Sequence, residues 1–186
     1  MLITILTHIK MIKILLLFFV GLSYLGYAQE PYTLAPESVL AINGTSTVHD
    51  WEVAANSIKG SLTVTGGIIS DLNLEIPVAE IKSERGATMD AKMHTALKAE
   101  EYLNVYFSAD EYKENAILTG NLSIAGIEQE VGVTIEFTRK NDKISISGTE
   151  EIVLADYGIT PPTAMFGQII VGDTVTIKFD LSFLRE

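Results

Sequence analysis

The run "TVTIKFDLSF", 174–183, alternates without a fault. Val175, Ile177, Phe179, Leu181 and Phe183 share one face, and threonine, lysine, aspartate and serine share the other. A period of two is the repeat of an extended strand, whose successive side chains point to opposite sides. The same pattern recurs along the chain. Leu62 and Val64 alternate in "GSLTV", and Leu72, Leu74 and Ile76 oppose Asp71, Asn73 and Glu75. Val105 and Phe107 follow, then Leu118, Leu122 and Ile124, then Val131, Val133, Ile135 and Phe137, then Ile144 and Ile146. Gly66-Gly67, Asn141-Asp142 and Gly172-Asp173 stand between runs as turn residues. With the segment from Leu40 onward this makes about eight strands, each apolar on one face only. Strands buried on both sides would read as unbroken apolar runs, so the sheet is antiparallel. The chain predicts a meander with its apolar face turned inward, as a sandwich or a barrel. A barrel of roughly eight strands has an interior that side chains fill or that holds one small ligand.

The start obeys different rules. Lys10 and Lys13 precede an apolar run from Ile14 to Leu25, and Gly26 and Ala28 are small residues at −3 and −1 of a cleavage site. This is the pattern of a secretory signal removed after Ala28, and the run is short for a membrane span. Residues 29–186 then form one domain, and export places it in the periplasm. The leader takes two of the 13 basic residues and none of the 24 acidic ones, leaving a strongly acidic chain. Such a surface repels nucleic acid and anionic membranes. Cys 0 rules out disulfides, thiolate metal sites and a lipidated cysteine.

One segment breaks the alternation. "GATMDAKMHTALKAEEYLN" places Met89, Met93, Ala96 and Leu97 at i, i+4, i+7 and i+8, one stripe of a short amphipathic helix. The helix is expected over the sheet or across a barrel mouth. Lys82, Arg85, Lys92 and Lys98 concentrate positive charge around it. Lys92 flanks the apolar stripe and Arg85 enters the helix, so both can reach a mouth that it covers. Alternatively these cations balance Glu84, Asp90, Glu100 and Glu101 on a wet surface.

"NGTSTVHDWEV" gathers Ser46, His49 and Asp50 beside the only tryptophan. In a regular strand Ser46 and His49 point to opposite faces, which denies the contacts of a catalytic triad. The apolar positions change parity between Val48 and Trp51, which predicts a β-bulge at about His49-Asp50. The bulge would keep Trp51 and Val53 inward and could turn His49 toward a ligand head group. Only His49 and His94 remain after the leader, without the paired spacing of a zinc site. No nucleophile elbow, phosphate loop or dinucleotide fingerprint is present. Catalysis, a metal and a cofactor are therefore not expected. Farther along, Pro161-Pro162 imposes an extended loop, and Met165-Phe166 at its end are expected to fold over the barrel as a lid.

Four stretches together resemble the YceI-like family of exported lipid- or polyisoprenoid-binding proteins. They are "STVHDWEV" with "KGSLTV", "MDAKMHTALKAEEYLNVYFSAD", "LTGNLSIAGIEQEVGVTIEF", and "DYGITPP" with "VGDTVTIKFDLSF". The resemblance implies an antiparallel, roughly eight-stranded lipocalin-like β-barrel with one short helix. It further implies an isoprenoid amphiphile of polyprenyl or quinone type held inside, with no chemistry performed. Candidate wall residues on the early strands and the helix are Trp51, Val53, Leu62, Val64, Leu74, Met89, Met93 and Leu97. Those on the later strands are Phe107, Leu122, Ile135, Phe137, Ile177 and Phe179. Arg85, Lys92 and His49 are the candidate head-group contacts. The expected partner is an apolar lipid, without nucleic acid or stable membrane insertion, and a homodimer is left open. An outer-membrane barrel fits worse, because one tryptophan makes no aromatic girdle and the polar faces are dense with charge. A filled barrel or sandwich acting through its surface, as an interaction or stress protein, gives the same alternation and stays open.

Overall fold

Thirteen strands and one α-helix carry the alternation into a single curled antiparallel sheet, in a computed structural model that describes residues 29–112 and 117–186. The expected leader lies outside the described residues. Twelve of the strands have three residues or more, and the other has two. The count exceeds the eight expected because long strands are cut by local chemistry. β1 (Gln29–Leu34) and β2 (Val39–Ser46) lie along the same edge of β13 (Ile169–Arg185), separated by a kink at Pro36. Pro36 has no N–H for the ladder. Ser38 repairs the gap: its Oγ accepts from the Ser182 N–H at 3.0 Å and donates to the Ser182 carbonyl at 3.3 Å.

β3 (Trp51–Ala55) and β4 (Lys59–Thr65) run along β2 and β1 in the same way. β5 (Ile68–Pro77) and β6 (Ile81–Ser83) are divided by a 3-10 turn after Pro77 and pair with β4 and β3. The helix α1 (Ala87–Ala96) leads to β7 (Asn104–Tyr112), β8 (Leu118–Ile124) and β9 (Ile127–Val133). Thr134 alone separates β9 from β10 (Ile135–Lys140), which pairs with β11 (Lys143–Val153). β11 then lies against β13, whose other edge carries β2 and β1. The sheet thus curls back on itself as a lipocalin-like β fold. It is not a closed ring: β9 pairs with β8 and β10 with β11, and among the described residues no ladder joins the two pairs.

Two local expectations are corrected. Gly172-Asp173 do not end a run but lie inside β13, where its register against β2 slips between Val171 and Val175. The β-bulge expected at His49-Asp50 is absent. Residues 47–50 form the turn of a hairpin in which Gly44 pairs with Trp51. The parity change came from the turn, which resets the face count as a bulge would.

The two ends of the curled sheet differ. One is packed solid: Tyr32, Leu62, Ile144, Ile146 and Phe183 are at most 1% exposed. Arg139 on β10 crosses that end to ion-pair with Glu30 on β1, donates to Tyr32 Oη at 3.1 Å, and stacks 5.8 Å over the Tyr32 ring. Arg185 adds a 3.5 Å contact to the same Glu30. The other end carries α1 and is hollow.

Candidate functional site

An apolar cavity of about 270 Å³ occupies the hollow half. Its floor is shared with the packed half through Leu72, Leu118, Ile146 and Leu181. Three of its wall aromatics lie across glycines. A Cβ on Gly44 would sit 2.1 Å from Trp51, one on Gly120 2.6 Å from Phe107, and one on Gly148 2.7 Å from Phe179. The glycines let large rings lie flat against the sheet instead of filling the interior. The Trp51 indole is fixed there by donating to the Thr45 carbonyl at 2.9 Å.

Of the fourteen candidate wall residues, Trp51, Val53, Leu74, Met89, Met93, Leu97, Phe107, Leu122, Ile177 and Phe179 line the cavity. Leu62 and Val64 do not; both are buried in the packed half, and Ile135 and Phe137 pack against the same core there. All four face inward, as alternation requires, but at the wrong depth. Sequence reasoning missed Leu40, Ile42, Ile76, Val105 and Ile152, which also line the cavity and belong to the same alternating sets. It also missed Glu150, an inward residue of β11 among apolar neighbours. Burial, and then the adjacent Glu151 carboxylate, push its pKa up. Near it Tyr157 is 2% exposed, its Oη lacks a hydrogen-bond partner, and burial raises its pKa as well.

The mouth lies between α1, the 47–50 turn and the hairpin joining β12 (Thr163–Ala164) to β13, where the lining residues His49, Arg85, Met89 and Thr163 are exposed. α1 spans a shorter segment than its motif and buries no residue. Met89, Met93, Ala96 and Leu97 nevertheless all face the cavity. The helix is held at its entry, where Asp90 Oδ1 accepts from the Ser83 N–H at 2.8 Å, and by His94 Nε2, 2.9 Å from the Ile81 carbonyl.

The turn brings together what a strand would have kept apart. Ser46 Oγ donates to the His49 carbonyl at 2.7 Å and lies 3.5 Å from His49 Nδ1. The Arg85 guanidinium donates to His49 Nε2. With Nε2 as acceptor, a neutral His49 carries its proton on Nδ1, facing Ser46. That tautomer cannot take the serine proton, so the pair does not make Ser46 a nucleophile. Lys92, half-buried on α1, also lines the cavity, so all three head-group candidates border it.

The lid is corrected. Met165 is 65% exposed and Phe166 fully so, at the tip of the β12–β13 hairpin. Both residues have positive φ, 51° and 57°.

Solved structures share the fold, three of them as follows. The polyisoprenoid-binding domain from Saccharophagus degradans, implicated in plant cell wall breakdown, has 14% identity and a TM-score of 0.68, covering 83% of this chain and 98% of its own. BcnA of Burkholderia cenocepacia has 18% identity and a TM-score of 0.66, covering 78% and 96%. The Campylobacter jejuni YceI protein has 18% identity and a TM-score of 0.58, covering 70% and 81%. No curated protein matches the sequence. The sequence model of the YceI-like domain matches residues 32–183, from the first strand to the last, and the chain belongs to that family.

Proposed function

We propose that this protein binds and carries a long-tailed isoprenoid amphiphile of polyprenyl or quinone type, tail in the cavity and head at the rim, in the periplasm. The observation that carries the reading is an apolar cavity whose lining includes the exposed Arg85 and His49 and the half-buried Lys92. A tail gains about 0.8 kcal/mol per buried CH₂ before ordering costs, which favours retention over turnover. Small-molecule pockets span roughly 300–1,000 Å³, so a long tail must widen this one. α1, with no residue buried, is the wall that can give. At the rim, Arg85 has further guanidinium donors beyond the one on His49 for an anionic or carbonyl head. The likeness to a polyisoprenoid-binding domain and the leader sequence support the ligand class and the compartment respectively.

The test is solvent extraction of protein recovered by osmotic shock, followed by mass spectrometry. An isoprenoid at one per chain is expected, and refilling the stripped protein should shift the emission of Trp51. Protein that carries no lipid, and whose Trp51 ignores added polyprenol and quinone, overturns the reading.

A further inference from the structure

The hairpin tip that fails as a lid has properties a lid does not need. Met165, Phe166 and Gly167 are three consecutive residues in left-handed conformation, at φ 51°, 57° and 85°. That conformation is costly for side chains other than those of asparagine and aspartate, and turns of this kind select glycine and asparagine. Here the strained positions hold two large apolar side chains in water. Ile170 on the same hairpin is 51% exposed, and Val48 on the adjacent turn is 63% exposed. The two loops are bonded into one unit: the Thr47 N–H donates to the Ile170 carbonyl at 3.0 Å, and Thr47 Oγ1 accepts from the Ile170 N–H at 3.2 Å.

The charge pattern marks the same place. Although 20% of the chain is charged, residues 157–172 contain no Asp, Glu, Lys or Arg, and neither do residues 38–49. An acidic molecule thus presents an apolar hairpin tip without charged side chains, with Asp50 at the edge of the adjacent turn, and it stands at the cavity mouth, since Ser46, His49, Thr163 and Ile169 at its base all line the cavity.

We propose that this projection is a membrane-docking surface, through which the cavity mouth is set reversibly onto the interface of a zwitterionic bilayer. Exposed apolar groups at a loop tip enter the boundary between headgroups and acyl chains, while the absence of carboxylates from residues 157–172 removes the desolvation cost at that tip. A mouth seated there lets a water-insoluble molecule pass between bilayer and cavity without crossing water. The surface stands on its own observations and does not need the ligand's identity.

The experiment is co-sedimentation with phosphatidylcholine vesicles of protein recovered from cells. Wild type is compared with Met165→Asn/Phe166→Gly, which places in the turn the residues that left-handed positions favour. Both proteins share one N-terminus, so the first 28 residues contribute equally. The variant is expected to melt no lower than wild type and to lose vesicle partition by at least about tenfold, as removal of two large apolar side chains from an interface implies. Phe166→Leu, which keeps an apolar tip, is expected to retain most of the partition, and wild-type binding should persist at high salt. Wild type that stays in the supernatant, a double variant that sediments equally well, or self-association through Phe166 in place of vesicle binding overturns the proposal. Uptake of polyprenol from solvent, read by Trp51, reports on the cavity separately, so either reading can fail without the other.

Discussion

Glu150 is the residue whose position says most about the interior. A carboxylate on the inward face of β11 gives an apolar wall a titratable point, and burial holds its pKa above the ordinary range. An acid whose pKa is raised by folding stabilises the fold at low pH, and that contribution is lost as pH rises through the folded value. Glu150→Gln should therefore raise the melting temperature at neutral pH, with the gain vanishing on acidification below the carboxylate range. Thermal scans at several pH values check this; a gain that is independent of pH would place Glu150 in water. Gly44 makes the opposite point. It is silent in sequence, yet its missing side chain is what lets Trp51 lie flat on the wall.

Elements set the head-group end. α1 is held at the mouth through Ser83–Asp90 and His94–Ile81, and the loop before it delivers Arg85 to His49. These residues are far apart in the chain, and only the docking of helix and turn makes them neighbours. The double variant Arg85→Gln/Lys92→Gln should weaken binding of a prenyl pyrophosphate by about tenfold or more relative to a neutral quinone of equal tail length. The difference should shrink at high salt. Equal affinity of the variant for both lipids, matching wild type, would return these cations to the role of surface charge balance.

At the scale of the whole molecule, the two halves separate stability from binding. The packed half is tied across its closed end by Arg139, Glu30 and Tyr32, and the hollow half carries the mouth. Arg139→Met should cost about 1 kcal/mol of stability, the scale of a partly exposed ion pair with one hydrogen bond and one cation–π contact. Ligand affinity per folded molecule should not change. Denaturant unfolding and Trp51 titration measure the two quantities, and a loss of affinity would mean that the ends are coupled. Without cysteines, packing carries the fold unaided.

Sequence by itself determined the antiparallel sheet, the inward face of nearly every strand and the helix near Met89, because periods of 2 and 3.6 are properties of local backbone geometry. It also singled out Met165 and Phe166, but as a lid, which they are not. Tertiary structure decided depth: Val64 and Leu74 alternate alike, yet one is packed core and the other cavity wall. Position along the curled sheet follows from strand pairing, which no single strand encodes. It also decided that a parity change at residues 48–51 was a turn, and so that Ser46, His49 and Arg85 meet. Last, it decided that Phe166 faces water, at the tip of a hairpin with three consecutive left-handed residues and not in the core that its hydrophobicity alone would have sought.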